Sequence, residues 1–382
     1  MIPIVRDQRH SFQPLIPPAV GIDQVWRMRE PNAKTVDRLI QDSKINTDST
    51  SRVKLKKAKI GKKTRLFKLE RSGPLTFIID TSMAREIACY PHLVGESLEQ
   101  VSRKAAAEAL PAILELSDAR AKGDAEIVFE QILRAAPGYK LQDVASKVLG
   151  KSYRTVDLRP RYTHRSYRDH DGTVQREIEV VHQNFTEFPK GKKIVLIMQD
   201  TVASGRSGEV SIDAALKYCN EVGSKVEKWI LYGFISEYGL DVLYRIAQSH
   251  GIAMIAFAMG NLTALSTNNY DMPLYGVDEA HWQKTRTIRK IGSIIDRVSL
   301  EEYAPHFVAG SDQPGDWSAR QPKLFNGISY EEGDIIGHLN NSIRLIKSLC
   351  EIDDFEPWQQ HIAQKELSLL EKALRSETSK KT

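Results

Sequence analysis

The sequence has few cysteines and no long apolar run. Its three cysteines, Cys89, Cys219 and Cys350, have the spacing of neither a zinc site nor a disulfide framework. No apolar run approaches the ~20 residues that cross a bilayer. The N-terminus lacks the apolar core of a signal peptide. We therefore expect a cytoplasmic protein that has no membrane partner.

Charge of one sign is not in large excess, since the formal net charge is +5 over 382 residues. This balance suits phosphate ligands and does not require nucleic acid. Residues 52–71 are an exception, because they are strongly basic. They are interpreted either as an arm that binds nucleic acid, or as a solvated hairpin or subunit contact. Phe67 is their only aromatic residue, which favours the second interpretation.

The chain is organised around a strand, a loop and a helix between residues 192 and 223. Apolar residues from Ile194 to Met198 predict a strand buried on both faces, which is typical of the centre of a parallel sheet. A loop of small residues and a helix follow, and Gly223 can cap the helix. The stretch contains neither the Gly-Lys-Ser/Thr of a Walker loop nor the glycine pattern of a dinucleotide site.

The residue types in this loop suit a phosphorylated sugar. Small residues let backbone N–H groups approach a phosphate, and the helix N-terminus adds positive potential. Ser204 and Ser207 can add hydroxyl donors, and Asp200 can accept hydrogen bonds from ribose hydroxyls. An alternative is an ordinary strand–loop–helix unit without a ligand, since every doubly wound protein contains such units.

The same stretch resembles the phosphoribosyl pyrophosphate (PRPP) motif of type I phosphoribosyltransferases. That motif is a strand, two residues that are usually acidic, three mixed residues, and Thr/Ser-Gly-Gly-Thr/Ser. Gln199 stands where the family has its first acid, and Arg206 stands where it has its second glycine. The resemblance implies that PRPP is bound by Gln199, Asp200, Thr201, Val202, Ala203, Ser204, Gly205, Arg206 and Ser207.

A second motif resembles uracil phosphoribosyltransferase within that family. Residues 132–138 read Ile-Leu-Arg-Ala-Ala-Pro-Gly, close to a family loop that holds pyrophosphate, and an arginine suits this polyanion. The Arg-rich residues 159–168 take the place of the family's mobile hood. The pyrophosphate-binding residues implied are Arg134, Ala135, Ala136, Gly138, Arg161 and Arg165. Alternatively, Arg134 is a surface arginine at a strand end, and the Arg-rich stretch is a solvated loop.

A third, weaker match concerns residues 269–278, at the place of the family's base-recognition loop. The base-binding residues implied are Tyr270, Met272, Pro273, Gly276 and Asp278. Leu274 and Val277 replace a Gly and an Asp of the family. Glycine permits close backbone approach, so we expect uracil to be a poor acceptor.

The order of predicted elements indicates an α/β fold with a doubly wound, mostly parallel, Rossmann-like sheet. We predict an N-terminal arm at 1–73, a phosphoribosyltransferase-like domain at 74–280, and a helical extension at 281–382. Within the extension we expect a basic helix at 281–298, a loop or linker at 310–333, and helices at 335–349 and 358–374. Residues 376–382 are expected to be disordered.

The resemblance implies transfer of phosphoribose from PRPP to a nitrogen acceptor such as a base, with release of pyrophosphate. Asp200 and Arg134 would be the catalytic residues, Mg²⁺ would be bound by the ligand rather than by a protein site, and the protein would be a homodimer. The alternative is a catalytically inactive phosphoribosyltransferase-like protein with a regulatory or nucleic-acid-binding role, which the loss of one acid and the altered base loop favour.

Overall fold

The computed structural model describes residues 33–119, 125–162, 178–352 and 354–381. Its centre is a mixed, mostly parallel sheet of nine strands in the order β1-β2-β3-β9-β8-β7-β4-β5-β6. These strands are β1 Thr50–Arg52, β2 Arg65–Leu69, β3 Leu75–Asp80, β4 Glu126–Ile132, β5 Arg154–Tyr162, β6 Ile178–Asn184, β7 Lys193–Gln199, β8 Lys225–Ser236 and β9 Ala253–Thr263. The six strands from β3 to β5 in this order are parallel, and β1, β2 and β6 pair antiparallel at the edges.

Two short hairpins and the helices complete the described fold. The hairpin strands are β10 Tyr275–Val277 with β11 Lys290–Gly292, and β12 Leu324–Phe325 with β13 Tyr330–Glu331. The helices are α1 Ala33–Asp42, α2 Ser82–Cys89, α3 Gly95–Leu116, α4 Leu141–Leu149, α5 Arg206–Glu221, α6 Glu237–Ser249, α7 Glu279–Thr285, α8 Arg297–Tyr303, α9 Ile335–Glu351 and α10 Pro357–Lys381, with a 3-10 turn at Ala136–Tyr139.

Alternation along the buried strands supplies both faces of the sheet. In β7, Val195 and Ile197 pack on the face covered by α2, α3 and α4, whereas Leu196 and Met198 pack on the face covered by α5 and α6. A strand that is apolar on both faces can be covered by helices on both sides. The predicted mostly parallel α/β fold is therefore confirmed.

The sheet reverses its direction of growth between β4 and β7. These two strands are parallel neighbours, with Glu130 opposite Met198. From β4 the chain continues to β5 on one side, and from β7 it continues to β8 on the other side. Ligands of open α/β sheets bind at such a reversal, beyond the carboxyl ends of the strands. The fold therefore brings the loops after β4 and β7 to one crevice.

The residues before position 74 contribute strands to the sheet. β2 pairs with β3 from Arg65–Asp80 to Lys68–Phe77, and β1 pairs with β2. The turn at Lys62-Lys63 precedes β2, as the sequence predicts. The domain boundaries at 73/74 and 280/281 stay predictions, although strand pairing crosses the first boundary, and β10 and β11 pair across the second.

Two predictions for the C-terminal part are wrong. Residues 281–298 are not one helix, because α7 ends at Arg286 in the left-handed region and residues 290–292 pair with β10 instead. Residues 376–381 continue α10, where Lys380 pairs with Glu377 one turn away. The amphipathic helices predicted at 335–349 and 358–374 are confirmed as α9 and α10.

The helices α9 and α10 pack against each other and against the rest of the molecule. Leu339 and Ile346 of α9 share a cluster with Leu370 of α10. The buried Glu366 of α10 lies 2.6 Å from Nδ1 of His92, between α2 and α3. No helix in the described part of the chain is both long enough and apolar enough to span a membrane.

Candidate functional site

The loop after β7 lies directly against β8. Asp200 N–H donates to Tyr232 O at 3.0 Å, and Val202 N–H donates to Phe234 O at 2.8 Å. A Cβ on Gly233 would lie 2.0 Å from Asp200 O, and one on Gly239 would lie 2.4 Å from Ala203 O. Only glycine allows this close approach. The backbone of residues 200–203 is therefore held in one position at the crevice.

Asp200 is buried where the loop leaves the strand. Burial raises the pKa of its carboxyl to about 8, although a hydrogen bond from the Thr201 N–H acts in the opposite direction. Glu130 in β4 is also fully buried, and its pKa is raised, mainly by burial and further by the charge of Asp200. A hydrogen bond from the Trp229 side chain acts in the opposite direction. Two buried acids that hold their protons at neutral pH thus lie at the crevice.

Gln199 faces the opposite side of the strand from Asp200. Its Oε1 accepts from the Leu141 N–H at the start of α4 at 2.9 Å, and its Nε2 donates to Gln131 at 3.0 Å. Gln199 therefore ties β7 to β4 and to α4 through its amide.

The end of the loop forms the N-terminus of α5. Gly205 has φ of 80° and is the N-cap, Arg206 is exposed, and Ser204 and Ser207 are half-buried. The Thr201 hydroxyl lies 2.6 Å from the hydroxyl of Tyr139. The first N–H groups of a helix have no acceptor within the helix, so the loop has the donors that a phosphate needs.

The loop after β4 is covered by the predicted linker, residues 310–333. The Ala135 carbonyl accepts from Trp317 Nε1 at 3.1 Å. The buried Gly138 lies so close that an added Cβ would be 2.7 Å from Gln321 and 2.8 Å from Trp317. Ala135 is half-buried and Ala136 is buried. Residues 310–333 are thus a packed part of the site region.

Arg134 lies at the rim of the same loop and forms an ion pair with Glu331 of β13. Arg159 of β5 donates to the carbonyl of Asn326, and its pKa is lowered by burial and then by the charges of Arg134 and Arg161. Arg161 is exposed. Arg165 lies outside the described residues. Three guanidinium groups and one carboxylate therefore meet beside the loop after β4. The sequence motifs assign no binding role to Arg159 or to Glu331. No recognised motif contains Glu331.

The predicted base loop is separated into two environments. Tyr270 lines a shallow cleft with Asp312, His338 and Leu345. In contrast, Met272, Pro273, Gly276 and Asp278 are buried. The Asp278 carboxylate is the N-cap of α7, accepting from the His281 N–H, and it also accepts from Ser266 and Arg289.

Comparisons with known proteins add little to this geometry. No protein-family model matches the chain, and no curated protein matches it. Among solved structures, orotate phosphoribosyltransferase of Francisella tularensis is 14% identical, with 44% of this chain and 68% of that chain covered at a TM-score of 0.26. The adenine phosphoribosyl transferase of Trypanosoma brucei, in complex with AMP, pyrophosphate and ribose-5-phosphate, is 9% identical, with 51% and 86% covered at a TM-score of 0.30. Neither similarity establishes a family for this chain.

Proposed function

We propose that the chain binds PRPP, or another phosphorylated ribose, in the crevice between β4 and β7. The observation that carries this proposal is the meeting of two loops at the reversal of the sheet, one that leads into the N-terminus of α5 and one that contains Arg134. The phosphate would bind residues 203–207, the ribose hydroxyls would bind Asp200, and the pyrophosphate would bind the loop 134–138.

The reaction would be transfer of phosphoribose to a nitrogen nucleophile. The bond from C1 of ribose to pyrophosphate breaks with its electron pair going to pyrophosphate, the bond from C1 to nitrogen forms, and the nitrogen passes its proton to water. Arg134 would stabilise the charge on the departing pyrophosphate. No group of three or more His, Cys, Asp or Glu side chains among the described residues is arranged to hold a metal ion. Under this proposal, Mg²⁺ would be held by oxygens of PRPP and by water rather than by a protein site.

Isothermal titration with PRPP and MgCl₂, followed by pyrophosphate release with a panel of nitrogen bases, tests the proposal. Saturable binding of PRPP that becomes weaker in the Arg134→Gln variant supports this site. Release that depends on both PRPP and one base makes the chain an enzyme, whereas binding without release supports a regulatory role. Absence of any PRPP or ribose 5-phosphate binding would overturn the proposal.

We further propose that uracil is a poor acceptor. Leu274 and Val277, which replace Gly and Asp of the resembled loop, are buried in apolar clusters, so these positions offer neither the close backbone approach that Gly permits nor the polar contact of an Asp. A site that lacks the hydrogen bonds for a ligand discriminates strongly against it. Turnover of uracil at ~1 per second or faster, an ordinary enzymatic rate, would refute this.

A second candidate function, binding of nucleic acid, is favoured by the loop before β2. All seven of its cations are exposed, and residues 52–63 contain no acid: Arg52, Lys54, Lys56, Lys57, Lys59, Lys62 and Lys63. Glu115 of α3 accepts from the backbone N–H groups of Lys56, Lys57 and Ala58 at 2.5 to 3.2 Å. The loop is therefore fixed by its backbone, and its exposed basic side chains would attract a polyanion.

Anisotropy of a labelled 20-base-pair DNA duplex tests this second function. Replacement of Lys56, Lys57 and Lys59 by Gln should lower the slope of log affinity against log salt by up to ~3, because each phosphate contact contributes ~0.9. The matched control replaces Lys365, Lys372 and Arg375, which are exposed on α10. Equal effects of the two triple variants would mean that binding follows net charge alone, and would exclude this loop as the contact surface.

A further inference from the structure

The hairpin formed by β12, β13 and the turn between them lies over the loop after β4. We call residues 324–331 the covering hairpin. Besides the ion pair between Glu331 and Arg134, the Asn326 side chain donates to Glu331 Oε2 at 3.2 Å, and the Asn326 carbonyl accepts from Arg159 at 3.1 Å. The Gly327 backbone lies so close to His182 of β6 that a Cβ would be 2.6 Å from its ring.

Glu331 is an anion that pairs with Arg134, the arginine that would bind pyrophosphate. The hydrogen bond from Arg134 is the largest cause of its lowered pKa, so the carboxylate is charged at neutral pH. It brings one negative charge to two guanidinium groups, those of Arg134 and Arg159. A pyrophosphate carries more charge and more acceptor oxygens, so it is the stronger partner for the same donors.

The covering hairpin is small enough to move. Each of its strands has two residues, and two of its large apolar side chains are exposed, Ile328 in the turn at 87% and Tyr330 in β13 at 65%. Segments with few buried apolar contacts open at low cost in free energy. Leu324 is the one buried residue of the hairpin, and the contacts of the hairpin with Arg134 and Arg159 are polar.

We propose that the covering hairpin is an autoinhibitory contact in which Glu331 competes with pyrophosphate for Arg134. Binding of pyrophosphate, or of the pyrophosphate group of PRPP, displaces the carboxylate and lifts the hairpin. The idea rests on the proposed function, because it assigns Arg134 to the pyrophosphate end of the ligand. Ribose 5-phosphate has no group at that end, so its binding is independent of Glu331.

The experiment compares Glu331→Gln with Glu332→Gln in the full chain, using calorimetry with magnesium pyrophosphate and, separately, ribose 5-phosphate. Glu332 is exposed and adjacent, which makes it a matched control. Glu331→Gln should bind pyrophosphate about two- to fivefold more tightly, the size of a partly exposed ion pair, with ribose 5-phosphate affinity unchanged. Glu332→Gln should match the original chain for both probes. When the chain also carries Arg134→Gln, Glu331→Gln should no longer increase the affinity for pyrophosphate.

Equal pyrophosphate affinity in Glu331→Gln and the original chain would overturn the autoinhibitory contact and leave the proposed function intact. Absence of binding of both probes would overturn both. Hydrogen exchange supplies a second readout: amides of residues 324–331 should exchange faster when pyrophosphate is bound. Slower exchange there would mean that the hairpin closes over the ligand, which also contradicts the proposal.

Discussion

At the scale of single residues, two buried acids decide how the crevice responds to pH. Asp200 directly follows the central strand β7, and Glu130 lies on the neighbouring strand β4. Both hold a proton at neutral pH because charged carboxylates are costly to bury. A carboxyl of raised pKa is common at functional sites, where the fold keeps it out of water for chemistry.

For Asp200 we expect ligand affinity to depend on pH. If ribose hydroxyls donate to its carboxylate, the ionised form is the binding form, and affinity for ribose 5-phosphate should rise by about tenfold or more between pH 6.5 and 9. Asp200→Asn should lose this rise and bind about tenfold more weakly at pH 9, as loss of a charge-assisted bond implies. Titration calorimetry at both pH values measures this. Parallel pH profiles for the two proteins would show that Asp200 does not contact the sugar.

For Glu130 we expect an effect on stability. In the folded state Glu130 keeps its proton up to about pH 8, whereas in the unfolded state it releases the proton near pH 4.5. Its contribution to the stability of the fold is therefore fully present below pH 4.5 and is lost as the pH rises towards about 8. Glu130→Gln cannot ionise. Between pH 5 and 9, the free energy of unfolding should therefore fall less in Glu130→Gln than in the original chain, by a difference of at least ~1 kcal/mol. Urea unfolding at the two pH values measures this difference. Glu332→Gln is the control, and an unchanged pH slope in Glu130→Gln would contradict the raised pKa.

At the scale of elements, packing over the 3-10 turn holds residues 310–333 on the molecule. The close approach of Gly138 to Trp317 and Gln321 leaves no room for a methyl group. Gly138→Ala should therefore lower the free energy of unfolding by ~1–3 kcal/mol, as overpacking does. The control is Gly61→Ala, since Gly61 lies in an exposed loop. A denaturation midpoint equal to that of the control would show that the turn and the covering segment separate freely.

The elements also show what the sequence could predict. The central strand, its loop and α5 follow from an apolar run with defined ends, and their prediction is confirmed. The sequence predicts a loop or linker at residues 310–333 because frequent Gly, Pro and Asp interrupt any helical or strand periodicity. Their packing depends on single residues such as Trp317 and Glu331, whose partners lie far away in sequence. Contacts of this kind leave no local pattern to recognise.

At the scale of the whole molecule, Arg320 joins the C-terminal part to the α2–α3 corner. Its buried guanidinium donates to the carbonyls of Ile87, Tyr90, Leu93 and Pro314 at 2.8 to 3.2 Å. Burial lowers its pKa to about 10, so it stays charged at neutral pH. Without Arg320, the carbonyls of Ile87, Leu93 and Pro314 would lose these hydrogen bonds, whereas the Tyr90 carbonyl would still accept from the Leu93 N–H; a buried group left unpaired costs ~1–3 kcal/mol.

We therefore expect the predicted domain at 74–280 not to fold by itself. It would lack β2, β11 and Arg320, which leaves a sheet edge, half a hairpin and several buried carbonyls unpaired. Circular dichroism and urea titration of this fragment should show no cooperative transition, whereas residues 33–381 should unfold in one transition. A cooperative fragment would establish that the 74–280 boundaries define an independent unit.

The long reach of Arg320 also bears on how the chain is made. Its partner Ile87 lies 233 residues earlier. At ~5–20 residues per second, a ribosome needs roughly 10–50 s to cover that distance. During this interval the carbonyls in the corner at residues 87–93 lack their hydrogen bonds from Arg320. The α2–α3 corner therefore cannot reach its final hydrogen bonding until Arg320 has been synthesised.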